Sequence, residues 1–123
     1  MSKSDFAKLE VYRLAEEIAL SAYECTKRFP NEELYGITSQ LKRAAISIAI
    51  NIAESYGRFH FKDKVKFLYN SRGSLFEVKS IVLISCKLGF IKETELNDLI
   101  KDLDNLGVKL NNYISYLKKR SED

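Results

Sequence analysis

Apolar side chains recur at helical spacing through most of this chain, and that pattern constrains its fold more than any other feature. The most regular segment lies toward the C-terminus, where apolar positions alternate in steps of three and four residues, as in a heptad repeat. Its members are Leu96, Leu99, Leu103, Leu106, Leu110, Tyr113 and Leu117. These steps keep the apolar residues on one face of a helix, which must be buried against other helices.

Three earlier segments show the same periodicity, and few residues interrupt them. The chain contains one proline and five glycines in 123 residues, which suits a few long helices with short connections. We predict a single domain over residues 1–123, with helices at about residues 5–29, 37–56, 61–88 and 94–119. Because short connections place consecutive helices side by side in opposite directions, the predicted fold class is all-α, an antiparallel up-down-up-down four-helix bundle. Gly73 lies inside the third segment, where a glycine usually permits a close neighbour.

The sequence offers no feature of a secreted or membrane protein. Its first eight residues lack the apolar run of a secretory signal. No segment approaches the roughly 20 apolar residues that span a bilayer. Cys25 and Cys86 lack metal-ligand spacing, and a disulfide framework does not fit this composition. We therefore expect a cytoplasmic protein with reduced cysteines and no membrane partner.

Positive charge is concentrated where the second and third predicted helices meet. Between Gly36 and Gly73, seven cations and two anions give a net charge of +5, whereas the rest of the chain carries −2. Nucleic-acid phosphates bind such a surface without regard to base sequence. The candidate contacts are Lys42, Arg58, Lys62, Lys64 and Lys66, and aromatic residues suited to stack on unpaired bases lie among them: Phe59, His60, Phe61 and Tyr69. The alternative interpretation is a solvated surface, with the aromatic rings turned into the core.

Polar residues within the apolar stripes predict contacts between the same two helices. In a hairpin that turns near Phe59, facing residues have numbers that sum to about 120, so Arg43 lies opposite Glu77. The predicted structural polar network contains Gln40, Arg43, Asn51, Glu54, Ser74 and Glu77. We interpret it as a network that fixes helix register or a subunit contact.

A catalytic or metal site built from Glu54, Glu77 and His60 is the competing hypothesis. Metal sites in four-helix bundles use carboxylates from several helices together with Glu-x-x-His pairs, and this chain has one histidine and no such pair. No nucleophile–base set or phosphate-binding loop is evident either. The sequence therefore predicts no catalytic residue, metal ligand or cofactor, and we expect a protein that is not an enzyme.

A long ordered set of residues resembles the 23S rRNA intervening-sequence proteins. It comprises Phe29-Pro30, Glu33, Tyr35-Gly36-Ile37, Gln40, Arg43-Ala44-Ala45, Ser47-Ile48, Asn51-Ile52-Ala53-Glu54, Gly57-Arg58, Phe67-Leu68, Gly73-Ser74, Glu77 and Leu88-Gly89-Phe90. These positions follow the family's order over nearly the whole chain. The chain departs at Ser55, where glycine is usual, and at Ser71, where alanine is common.

The resemblance implies a four-helix bundle whose subunits form a homopentameric ring. Members of that family are often encoded within insertions in large-subunit ribosomal RNA genes, and many have no assigned activity. A related branch includes the accessory protein of diversity-generating retroelements, a basic pentamer that binds nucleic acid and a reverse transcriptase. The expected partners are therefore further copies of this chain, together with RNA, DNA or another protein.

Two functions follow as expectations. The first is a non-enzymatic homo-oligomer, pentameric by resemblance, that associates with RNA or DNA through the basic hairpin of the second and third helices. The second is a protein-interaction or scaffold module with no nucleic-acid role. This alternative predicts an apolar surface patch near Tyr12, Tyr113 and Tyr116.

Overall fold

Four α-helices account for most of the protein in a computed structural model that describes residues 5–122. They are α1 (Glu10–Thr26), α2 (Ile37–Gly57), α3 (Phe61–Lys87) and α4 (Glu93–Glu122). Short 3-10 turns at Asp5–Lys8 and Asn31–Glu33 precede α1 and α2, and the described residues contain no β-strand. The predicted all-α fold is confirmed.

Each helix packs against two others, in the cyclic order α1, α2, α3, α4 and back to α1. Between α2 and α3, the Ser74 and Ser47 hydroxyls lie 2.9 Å apart, and the Ser71 hydroxyl donates to the carbonyl oxygen of Ile48 at 2.8 Å. Residue numbers therefore rise along one helix as they fall along the other. The remaining cross-helix pairs show the same relation: Lys79–Asp104, Arg72–Asn111, Arg28–Glu95 and Lys109–Glu10. These contacts make the bundle antiparallel throughout.

The core is built from the predicted stripes. Leu103, Leu106 and Leu110 of α4 have no exposed surface. In α2, Ala44 and Ala45 are likewise fully buried, and their small side chains allow the neighbouring helices to approach closely. Burial of this kind supplies most of the stability of a helical bundle, because isolated helices are marginal in water.

The first helix is shorter than the predicted range of residues 5–29. Residues Asp5–Lys8 form a 3-10 turn, and Leu9 adopts an extended conformation (φ −66°, ψ 133°), so the α-helix starts at Glu10. The Phe6 ring packs edge-on against Tyr12, with 4.9 Å between centroids. At the other end, the amides of residues 27–29 bond to carbonyls three residues back, which tightens the last turn before Pro30.

The link between α3 and α4 begins with a Schellman motif. Gly89 has a left-handed backbone (φ 86°), and its amide donates to the carbonyl oxygen of Cys86. The amide of Phe90 donates to the carbonyl oxygen of Ser85. The last helix continues through Glu122, beyond the predicted end at residue 119. The expectation for Gly73 was wrong, because a Cβ there would meet no atom within 4 Å and the residue faces solvent.

Candidate nucleic-acid interface

Cations from two helices meet at the end of the bundle where α2 turns into α3. The turn consists of residues 58–60, between Gly57 and Phe61. Because α4 runs antiparallel to α3, its last basic residues reach the same end. The first half of α4 instead carries the acidic residues Glu93, Glu95, Asp98, Asp102 and Asp104, and lies at the opposite end.

The centre of this cationic region is the half-exposed ring of Tyr69. The guanidinium carbon of Arg72 lies 4.8 Å from the ring centroid, and the Lys118 ammonium lies 5.7 Å from it. Lys62 and Lys66 line a shallow groove together with Tyr69. Hydrogen bonding with Lys118, and the positive charge of both neighbours, lower the pKa of the Tyr69 phenol. We call Lys62, Lys66, Tyr69, Arg72 and Lys118 the basic surface.

Only two of the five predicted contacts, Lys62 and Lys66, belong to this surface. Both are exposed on the first turns of α3. Arg58 is at the same end, but its guanidinium bonds to the Glu54 carboxylate at 3.0 Å and covers the Phe67 ring, 4.6 Å from the centroid. Much of its charge is therefore already compensated within the protein.

Lys64 points inward and caps α2. Its ammonium donates to the carbonyl oxygens of Ser55, at 3.3 Å, and of Tyr56, at 3.2 Å. These carbonyls belong to the last turn of α2, where a cation is favourable because the helix dipole is negative there. Partial burial lowers the pKa of Lys64. The hydroxyl of Ser55, buried beside this cap, has no partner among the described residues.

Lys42 lies far from the other four predicted contacts. It sits in the first half of α2, and the 16 residues to Arg58 correspond to about 24 Å along a helix. Its ammonium is 4.9 Å from the centroid of the Tyr23 ring on α1. The structure thus assigns Lys42 to the α1–α2 surface.

Arg72 and Lys118 are the members of the basic surface that the predicted contacts omit. Their positions follow from the register of α3 against α4, in which paired residues such as Arg72–Asn111 and Lys79–Asp104 have numbers that sum to 183. That sum places Lys118 opposite Val65, one turn from Lys62. The apolar stripe of α4 alone does not reveal this register, because a shift by one heptad preserves the stripe.

The predicted polar network forms separate groups. Arg43 and Glu77 approach to 3.5 Å, as their register implies, but their side chains are 68% and 42% exposed. An exposed ion pair contributes about 0–1 kcal/mol. Gln40 is exposed and makes no side-chain hydrogen bond among the described residues. Glu54 pairs with Arg58 at the end of α2.

A second polar group centres on Ser47, which the sequence-based network omits. The Asn51 amide donates to the Ser47 hydroxyl at 3.0 Å and to its carbonyl at 2.8 Å. The Ser74 hydroxyl donates to the Ser47 hydroxyl from α3. Ser47 therefore links Asn51 of its own helix to Ser74 of α3.

The side chains considered for catalysis have separate neighbours. Glu54 bonds to Arg58, Glu77 to Arg43, and the exposed His60 ring packs against Phe59, 5.2 Å between centroids. Within residues 5–121, no three His, Cys, Asp or Glu side chains are grouped as metal ligands would be. None of the helices in the described range is both long and apolar enough to cross a bilayer.

Apolar side chains are exposed on α2 and α3, and Ile50 of α2 lines a pocket together with Tyr12, a member of the patch that the scaffold hypothesis predicts. Tyr12 and Tyr113 are partly buried and pack against the core, whereas Tyr116 is 53% exposed. A groove of about 600 Å³ on α1 and α2 is lined by Tyr23, Leu34, Tyr35, Ile46 and Ile50, among others. Exposed apolar residues also occur on α3 and at its C-cap, among them Phe76, Leu83, Ile84 and Leu88. Apolar residues that share one groove mark interaction surfaces more often than isolated residues do.

Comparisons with known proteins agree with the resemblance seen in the sequence. The family model described as "23S rRNA-intervening sequence protein" matches residues 7–112. A crystal structure of a protein of unknown function from the S23 ribosomal protein family of Bacteroides thetaiotaomicron superposes with a TM-score of 0.79. The two share 19% sequence identity, and the match covers 85% of this chain and 95% of that chain, which establishes a common fold. No curated protein matches the chain.

Proposed function

As the chain belongs to the 23S rRNA-intervening sequence protein family, we propose that it is a non-enzymatic, self-associating protein that binds RNA or DNA through the basic surface. The observation that supports binding is the set of cations around Tyr69 that lack carboxylate partners. Among the ion pairs of the described residues, none involves Lys62, Lys66 or Arg72. These charges remain available to phosphates, which bind by releasing condensed counterions.

The proposed role is binding in the cytoplasm. Both cysteines are free thiols, Cys25 buried and Cys86 half-buried, as suits a reducing compartment. Burial, with a smaller contribution from the nearby Glu95 carboxylate, raises the pKa of Cys25 to about 11. The thiolate is therefore scarce at neutral pH, and Cys25 acts as a small apolar residue of the core.

Reversing two charges of the basic surface is expected to weaken binding to RNA and DNA alike. In Lys62→Glu/Lys66→Glu, we expect the affinity to fall by about tenfold or more. The slope of log K against log salt concentration should become shallower by about 1.5, since each phosphate contact contributes about 0.7–0.9. Fluorescence anisotropy titrations with a structured RNA and a duplex DNA, at several salt concentrations, measure both quantities.

The matched control is Lys92→Glu/Lys101→Glu, which changes the net charge equally at the opposite end of the bundle. Both lysines are exposed and belong to no ion pair among the described residues. If the control weakens binding as much as Lys62→Glu/Lys66→Glu, the affinity reflects net charge and the basic surface is not the site. Absence of binding by the unmodified protein at low salt refutes the proposed nucleic-acid role.

Self-association is supported by the apolar groove on α1 and α2. Ile50 is 54% exposed and Tyr35 is 94% exposed, which is unfavourable for a chain that stays monomeric in water. A homopentamer, which the resemblance implies, would also repeat the basic surface five times and raise its avidity without any new contact.

Light scattering is expected to give a mass about five times the 14.2 kDa of one chain. In Ile50→Glu, a charge placed in the groove should shift the mass toward that of the monomer. The control is Leu20→Glu, because Leu20 is 67% exposed on α1 and does not line the groove. A monomeric unmodified protein at micromolar concentration excludes the oligomer. If the mass is unchanged in Ile50→Glu, the subunit interface does not lie in the groove.

The same groove favours one alternative, a scaffold module whose partner is a different protein. It predicts a stoichiometric protein partner that remains bound after nuclease treatment and is lost in Ile50→Glu. In that case the charge reversals at Lys62 and Lys66 would leave the complex intact.

A further inference from the structure

Phe59 is an aromatic ring at the basic end of the bundle that the fold does not use. It is 90% exposed, whereas the nearby Phe61 is half-buried and packs against the core. Phe67 is covered by the guanidinium of Arg58, and cations lie over the ring of Tyr69. Phe59 is by far the most exposed of these four aromatic residues, since Tyr69 is 38% exposed and the other two are half-buried.

The backbone around Phe59 projects the ring away from the bundle. Arg58 and His60, on either side, are both extended (φ −86°, ψ 146° and φ −82°, ψ 140°). The His60 ring lies perpendicular to Phe59, 5.2 Å between centroids, so it can cover at most one of the two faces of Phe59. Lys62 follows within the first turn of α3, so a chain of phosphates held there passes close to the ring.

Exposure alone does not favour nucleic acid, because the charges around an exposed ring decide whether phosphates are attracted, and the opposite end of the bundle provides a contrast. Tyr35 is even more exposed, at 94%, but it follows the acidic residues Glu32 and Glu33. Lys42 and Arg43 line the same groove as Tyr35, and Arg43 pairs with Glu77, so the charge there is mixed. Lys62, close to Phe59, belongs to no ion pair among the described residues. The combination of a free ring with adjacent unpaired cations is therefore what distinguishes Phe59.

We propose that Phe59 stacks on an unpaired base while the adjacent cations hold the phosphates, so that the preferred ligand is single-stranded or looped nucleic acid. This inference rests on the proposed function and specifies its ligand class. An uninterrupted duplex has no free base face, and inserting a ring between its bases carries the cost of unstacking them. Stacking on an aromatic side chain is worth about 1–3 kcal/mol per base and accepts every base.

Substitutions at Phe59 are expected to separate the two classes of nucleic acid. Phe59→Ala and Phe59→Leu should each lower the affinity for oligothymidylate or oligouridylate by about tenfold. Affinity for a DNA duplex with the same number of phosphates should change by less than about twofold, since charge contacts with phosphates dominate there. The failure of leucine to substitute would identify stacking, because leucine retains an apolar side chain. Phe76→Ala is the control and should leave both affinities unchanged, because Phe76 is 60% exposed on α3 but lines neither the groove on α1 and α2 nor the groove beside Tyr69.

The sequence contains no tryptophan, so a single introduced tryptophan permits a direct fluorescence test of stacking. In Phe59→Trp, the new indole is the only one in the protein, and stacking on a base should quench its fluorescence while affinity is retained. Phe76→Trp, at an exposed position outside both grooves, should show no quenching with the same oligonucleotide. An unquenched Phe59→Trp, or equal affinity of Phe59→Ala and the unmodified protein for oligothymidylate, overturns the stacking inference.

The charge reversal at Lys62 and Lys66 keeps this test distinct from that of the proposed function. If the reversal abolishes binding while Phe59→Ala does not affect it, the basic surface stands and the stacking inference fails. If the unmodified protein binds neither oligonucleotide nor duplex at low salt, both proposals fail together.

Discussion

Replacing Leu106 with alanine is expected to lower the free energy of unfolding by about 2–5 kcal/mol. The side chain has no exposed surface and lies in the buried stripe of α4, a helix that packs against α1 and α3. Truncation removes apolar contacts and leaves a cavity that a close-packed core fills only in part. For a domain of this size, such a loss is a large fraction of the total stability.

The control for this substitution is Val108→Ala, two residues further along the same helix. Val108 is 61% exposed, so its truncation should change stability by less than about 0.5 kcal/mol. Urea unfolding followed by circular dichroism measures both variants, at one protein concentration because association shifts the apparent stability. Equal effects at the two positions would contradict the placement of the α4 stripe in the core.

Replacing Lys64 with methionine is expected to lower the free energy of unfolding by about 1–2 kcal/mol. Methionine keeps most of the aliphatic length but removes the ammonium that bonds to the carbonyls of Ser55 and Tyr56. Those carbonyls then lose a charged donor at the negative end of α2. The affinity for nucleic acid should change little, because the Lys64 charge is directed at the protein itself.

Lys66→Met is the matched substitution for Lys64, with the opposite expected result. Lys66 is exposed and takes no part in capping, so its loss should reduce affinity and leave the urea midpoint nearly unchanged. Parallel unfolding and anisotropy measurements on the two variants therefore assign each lysine a role. If Lys64→Met lost affinity at full stability, Lys64 would belong to the binding surface after all.

The fold follows from the sequence because its main determinant is periodic burial. The stripe containing Leu103, Leu106 and Leu110 specifies which face of α4 is buried, and the structure buries that face completely. The contact of Arg43 with Glu77 is also predictable from the sequence, because a three-residue turn fixes the register of α2 against α3. Helix ends are less determined, because the start of α1 depends on how Phe6 packs against Tyr12 rather than on any periodic signal.

The sequence predicts at which end of the bundle the candidate site lies. Which residues form that site is harder to predict. Net charge locates the basic hairpin, but Lys64 and Lys66 are only two residues apart and have different environments. On a helix, two residues correspond to about 200° of rotation, so one side chain turns toward α2 and the other toward solvent. Lys118 joins the site only through the packing of α4 on α3, which no local pattern encodes.

The opposite charges at the two ends of α4 have a kinetic consequence. Acidic residues at its start and lysines at its end give the molecule an electric moment along the bundle axis. In the field of a polyanion, such a particle rotates during diffusion and arrives with its cationic pole first. More collisions are then productive, and the encounter rate rises at low ionic strength and falls as salt shortens the Debye length. Orientation before contact is thus a property of the whole charge distribution, to which residues that never touch a ligand contribute.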